Sequence, residues 1–150
     1  MNVRKMMRID RWLGVPLCAA LTCVRSLVTR RAGGAPARSI VFIKLAEQGS
    51  TVLAHRALQS AAGRVGRENV FMVVFEDNRF IVDVLGIIPP ENVLTIASDS
   101  FVNLVKTALS VVGRLRQRKI DAAIDLEFFA RSSALLTCLS GAPRRVGFHA

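Results

Sequence analysis

Ser39-Ile40-Val41-Phe42-Ile43-Lys44-Leu45-Ala46-Glu47-Gln48-Gly49-Ser50-Thr51-Val52-Leu53-Ala54 is the stretch from which the fold can be read. The apolar run Ile40 to Ile43 reads as a buried strand. A turn at Gly49 follows. Ser50 or Thr51 then caps a helix whose apolar residues recur at Ala54, Ala57, Leu58, Ala61, Ala62 and Val65. Strand, tight loop and helix form the opening unit of a doubly wound α/β sheet. Such sheets bind ligands outside the carboxyl ends of their strands, so the 46–50 loop is the first place to look for chemistry.

The same alternation continues down the chain. A second buried strand is expected over residues 69–75. After the turn Glu76-Asp77-Asn78 comes a short helix carrying Phe80, Ile81, Val84 and Leu85, which stops at Gly86. Asn92 to Ile96 is a third strand. Asp99 or Ser100 caps a longer helix with Phe101, Leu104, Val105, Ala108, Val111, Val112 and Leu115 on one face. Its basic last turn (Arg114, Arg116, Arg118, Lys119) suits a helix C-terminus and reads as a solvated end. Residues 121–126 form a fourth strand and 128–139 a fourth helix. Val146-Gly147-Phe148 begins a fifth strand. The pattern predicts an α/β, Rossmann-like, doubly wound and mostly parallel sheet covered on both faces.

The 150 residues suit one domain, and half of them are apolar. The net charge of +10 is uneven. Residues 1–38 hold eight Arg/Lys against the single acid Asp10, whereas residues 39–150 hold thirteen against ten. With the basicity mostly outside the domain, no nucleic-acid motif in it and no tyrosine, no nucleic-acid partner is expected. Cys18, Cys23 and Cys138 are odd in number and lack metal spacing, which suits a reducing compartment.

Residues 1–31 place basic residues on both sides of a run of thirteen uncharged ones, Trp12 to Val24. The run is short of the roughly 20 residues needed to span a bilayer. Arginines directly after it, and the cysteine reading, argue against a secretory signal. An amphipathic helix in the membrane interface accounts for the arginines and for Trp12; a helix packed on the protein itself is the alternative. Residues 32–38, with Gly33-Gly34 and Pro36, form a linker, and residues 39–150 form the domain.

Two constellations stand on one expected rim. Glu47 lies between a strand's carboxyl end and a helix N-terminus, where a carboxylate can accept a proton from a hydroxyl nucleophile; the helix dipole alone also favours an acid there. Gly49 allows a ligand close to the backbone, and the amides of residues 50–52 can hold an anion. There is no Gly-x-Gly-x-x-Gly and no Walker loop, which weakens dinucleotide and P-loop readings. The second constellation is Asp125-Leu126-Glu127-Phe128-Phe129-Ala130-Arg131-Ser132-Ser133. Asp125, in an apolar strand, reads as structural and hydrogen-bonded. Arg131 at a helix start opposes the dipole; a rim anion and a pair with Glu127 account for it equally. His55 and His149 have no metal-ligand company.

The stretch Ile40 to Ala54 resembles the first strand and loop of glycosyltransferase family 9, the heptosyltransferases of lipopolysaccharide core assembly. Residues 123–136, Ala-Ile-Asp-Leu-Glu-Phe-Phe-Ala-Arg-Ser-Ser-Ala-Leu-Leu, resemble that family's second signature, and Leu139 to Phe148 continues the likeness. The resemblance covers residues 39–148. It implies the N-terminal, acceptor-side half of a GT-B fold, with the nucleotide-sugar half following this chain, so that the chain alone is expected to lack transferase activity. It also implies inverting transfer from a nucleotide-sugar donor to a lipid-linked saccharide, without metal or cofactor. The location it implies is cytoplasmic and peripheral, on the inner face of the plasma membrane; the contact of residues 1–31 with anionic lipid is read from their own charge pattern, since the resemblance does not reach them. The family commonly has Asp after the loop glycine, as proposed base; here that position is Ser50. Glu47, the loop's own carboxylate, is therefore the candidate catalytic residue. Lys44, Gly49, Ser50, Thr51, Glu127, Arg131 and Ser132 are the candidate acceptor- and anion-binding residues, with no metal ligands. A non-catalytic, membrane-attached Rossmann-like binding module is the alternative from another class.

Overall fold

The computed structural model describes residues 36–128 and 131–147. The expected helix over residues 1–31, and the linker as far as residue 35, lie outside the described residues. Of the linker, Ala37 packs against the core and the Arg38 N–H donates to Asp121 Oδ2 (2.8 Å).

Five strands form one all-parallel sheet: β1 (Ile40–Ile43), β2 (Val70–Phe75), β3 (Val93–Ile96), β4 (Ala122–Asp125) and β5 (Arg144–Val146). Their order is β3-β2-β1-β4-β5, with Ile40 opposite both Val70 and Ala122. Helices cover both faces, giving an α/β Rossmann-like fold. In chain order they are α1 (Gln48–Leu53), α2 (His55–Val65), α3 (Arg79–Leu85), α4 (Phe101–Gln117) and α5 (Arg131–Leu139).

The central strands are apolar on successive residues because both of their faces are buried. Alternate residues of β1 and β2 enter two separate cores. Val41, Ile43, Phe71 and Val73 pack with Val111, Val112 and Leu115 of α4 and Leu136 of α5. Ile40, Phe42, Val70, Met72 and Val74 pack with Leu58 and Ala61 of α2 and Val82 of α3.

Several local expectations are corrected. The turn after β1 falls at Glu47, not Gly49: Glu47 takes a left-handed conformation (φ 64°, ψ 89°), and Gly49 lies inside α1. The helix therefore begins ahead of Ser50 and Thr51, and neither is its N-cap. Their hydroxyls instead donate back to the Glu47 carbonyl, at 2.9 and 3.3 Å. What reads as one helix is two, divided at Ala54. On α3 the inward residues are Val82, Ile81 and Leu85, while Phe80 and Val84 face outward. Phe101 and Val105 of α4 are likewise exposed. The fifth strand starts at Arg144, two residues earlier than expected: Arg144 pairs with Ala122 of β4 and its N–H donates to the Asp121 carbonyl (3.3 Å). Of the two expected caps of α4 the structure uses Ser100, as the sequence allowed: Ser100 Oγ accepts from the Asn103 N–H (3.2 Å).

Candidate functional site

In this strand order the chain leaves β1 toward β2 on one side, while β4 lies on the other. The carboxyl ends of β1 and β4 therefore flank the point where the winding reverses, which is the crevice that such sheets use for ligands. Both expected constellations arrive there.

The backbone just past β1 is held from three sides. The Lys44 N–H donates to Val73 O, the Phe75 N–H to Leu45 O, and Asn78 Nδ2 to the same Leu45 carbonyl (2.6 Å). From β4, the Leu126 N–H donates to Ile43 O (2.9 Å). Lys44 thus starts at a fixed point, and its side chain is 1% exposed. Its ammonium lies 3.1 Å from Glu127 Oε2, a carboxylate that is itself 9% exposed. The Nζ is off the direction of a hydrogen bond, so charge attraction rather than a directed bond joins the two. Glu127 Oε1 accepts from the Ala46 N–H (2.8 Å), which ties the loop after β4 to the loop after β1.

Glu47 stands above this pair. Its Oε2 is 3.7 Å from Lys44 Nζ, yet the side chain is 72% exposed. Ser50 Oγ, bonded to the Glu47 carbonyl, also lies 3.3 Å from Oε2. A left-handed backbone at a residue with a side chain costs about 1–2 kcal/mol. Here it aims a carboxylate into the crevice while the chain turns into α1. Open space adjoins Gly49, where an added Cβ would meet nothing within 4 Å.

Asp125 is the support. Its Oδ1 accepts from the Glu127 N–H (3.0 Å) and its Oδ2 from Ser133 Oγ of α5 (2.9 Å). Burial pushes its carboxyl above the ordinary range; those two hydrogen bonds pull in the opposite direction, the Glu127 charge raises it and Lys44 lowers it. The Asp125 side chain packs close against Gly147: an added Cβ there would lie 3.0 Å from Asp125 Cβ, and one of the two would have to shift by a few tenths of an ångström.

Of the expected site residues, the structure brings Lys44, Glu47, Ser50 and Glu127 together. Thr51 is fully buried under the loop. Gly49 is exposed on α1, and Arg131 and Ser132 are exposed at the start of α5. The Lys44–Glu127 pair was not an expectation. Its one sequence signal is a lysine and an acid that each directly follow an apolar strand on the same rim.

Each strand's carboxyl end is followed by exposed apolar side chains: Leu53 after β1, Phe80 after β2, Phe101 and Val102 after β3, Phe128 after β4, and Val146 closing β5. Among the described residues, no group of three or more His, Cys, Asp or Glu is placed to hold a metal ion, and no helix is long and apolar enough to cross a membrane. No family model, no curated protein and no solved structure matches the chain.

Proposed function

We propose that the chain is the acceptor-side half of a GT-B, heptosyltransferase-like inverting glycosyltransferase, acting on a lipid-linked saccharide such as lipopolysaccharide core. The observation that carries this reading is the exposed Glu47 carboxylate, set over the buried Lys44–Glu127 pair at the switch point of the sheet. In the reaction, Glu47 takes the proton from an acceptor hydroxyl. The hydroxyl oxygen bonds to the anomeric carbon of the nucleotide sugar, the bond to the diphosphate breaks on the opposite face, and the configuration inverts. Lys44 and Glu127 hold the loop that presents Glu47. Arg131 and Ser132, exposed across the crevice, suit anionic groups of the substrates. The apolar rim around the crevice suits coverage by a second, nucleotide-sugar-binding half.

A second reading, a non-catalytic binding module, draws on Ser50. It stands where the family's usual base would be, and its hydroxyl is committed to Glu47. Titration with deacylated lipopolysaccharide core oligosaccharide tests both readings. The wild-type chain should bind it saturably. Transfer from nucleotide sugars, assayed with the nucleotide-sugar half supplied, should fall at least about 100-fold in Glu47→Gln. Binding with no transfer under any donor favours the module. A folded chain that does not bind the oligosaccharide overturns the acceptor assignment.

A further inference from the structure

The domain's charge is sharply polarised along the strand direction. Helices α2 to α5 run back toward the amino edge of the sheet, so their C-termini gather there. Arg64 closes α2, and Arg67 follows it. Arg114 and Arg116 sit in the last turn of α4, and Arg118 and Lys119 come directly after. Arg38 precedes β1 and Arg144 opens β5. Against these eight cations the edge holds three acids, Glu68, Glu91 and Asp121. Elsewhere the described residues hold six Arg/Lys against seven acids. The small net charge of the domain therefore hides one strongly basic face.

Helix ends explain part of this excess, since C-terminal carbonyls attract cations. Arg67 donates to the carbonyls of Gly86 and Ile87, and Arg116 to that of Leu139. Arg118 lies 5.7 Å from the centre of the Phe71 ring. Arg64, Arg114 and Lys119 are exposed. Between Arg116, Lys119, Asp121, Ser140 and Gly141 an open cavity of about 380 Å³ indents the same edge, large enough for a phosphodiester headgroup. The Asp121 carboxylate in its wall is already engaged by the N–H groups of Arg38 and Ser39. Residues 1–38, with eight Arg/Lys and one acid, join the domain at this edge.

We propose that the amino edge of the sheet is a docking face for an anionic phospholipid surface. Membrane attachment then belongs to the folded domain and not only to residues 1–31. This inference does not rest on the transferase reading. With the amino edge on lipid, the Glu47 rim faces away from it, about 20 Å distant at the strand rise of roughly 3.3 Å per residue.

The test is flotation of the full chain with phosphatidylcholine vesicles, with and without phosphatidylglycerol. A basic residue near an anionic surface contributes about five-fold in partitioning. The double variant Arg64→Gln, Arg114→Gln should therefore lose about 25-fold on the anionic vesicles. The double variant Arg56→Gln, Lys106→Gln removes the same charge from the same two helices about 12 Å further from the edge, beyond about one Debye length, and should lose only a small part of that. All four side chains are exposed, and thermal melts check that both variants fold. Equal losses in the two doubles overturn the proposal, as does a wild-type chain that ignores phosphatidylglycerol. Loss of single-stranded RNA binding in the first double, with vesicle binding unchanged, assigns the face to nucleic acid and also overturns it.

Discussion

Replacing Lys44 by Met isolates the energetics of the buried pair. Methionine keeps the length and apolar stem of the lysine, so packing changes little. What disappears is a cation 3.1 Å from Glu127 Oε2, with both side chains under 10% exposed. At that distance, and at an effective dielectric constant near 20, the attraction is about 5 kcal/mol before desolvation of the ammonium is subtracted. Removing one partner of a buried pair typically costs 3–5 kcal/mol. The lower end applies here, because the contact lacks hydrogen-bond direction and the Ala46 N–H still serves the remaining carboxylate. Lys44→Met should therefore destabilise the fold by about 3 kcal/mol at neutral pH. The exposed Glu47 adds little to this figure. In Lys44→Met/Glu127→Gln the buried charge is gone and the Ala46 N–H keeps an acceptor, so about half or more of the loss should return. Urea unfolding of the full chain, followed by far-UV circular dichroism, measures both effects. A single-variant loss below about 1 kcal/mol, the scale of a surface pair, refutes the reasoning. So does a double variant that loses the sum of the two singles.

Three further outcomes follow from the same geometry. Asp125 has a folded-state pKa raised above 3.8, so ionisation opposes folding: stability from this group is full below its unfolded pKa and declines as pH rises through the folded one. Asp125→Asn should therefore gain on the wild type in urea unfolding as pH rises above about 4, and a difference that does not change with pH contradicts it. Glu47→Gly relieves the left-handed backbone and should leave stability unchanged or raise it by up to about 1 kcal/mol while removing the carboxylate; a clear loss of stability in chemical denaturation disproves the strain. Gly147→Ala brings a methyl to 3.0 Å from Asp125 Cβ, whose carboxylate is fixed by two hydrogen bonds, and should cost about 1–3 kcal/mol in a thermal melt; a neutral result means the β5 end yields easily.

Much of the fold was legible because it is written in short-range patterns. Apolar runs such as Ile40–Ile43 and Val70–Phe75 are strands because residues buried on both sides of a sheet leave no polar alternation. Ser100 announces α4 because its hydroxyl serves an amide three residues away. Alternation of strand and helix implies parallel pairing, since a crossover returns the chain in the same direction. The position of Glu47 and Glu127 on one rim followed from that alternation. Local patterns are ambiguous where a rule has two solutions. Gly49 is the obvious residue for a turn, yet the chain turns at Glu47, because bonds from Val73, Phe75, Asn78 and Leu126 fix the preceding residues and determine where α1 begins. Phe80 and Val84 fit a helical face as well as Val82 and Leu85 do, and only the sheet beneath decides which face turns inward. The sequence by itself therefore determined the element types, the parallel sheet and the rim on which the candidate residues stand. The tertiary structure alone decided that β4 pairs with β1. This pairing joins Lys44 to Glu127 across the chain and gathers the basic helix ends at the opposite edge. Such pairings depend on which distant strands can share backbone hydrogen bonds and bury a common face, and no local residue pattern carries that information.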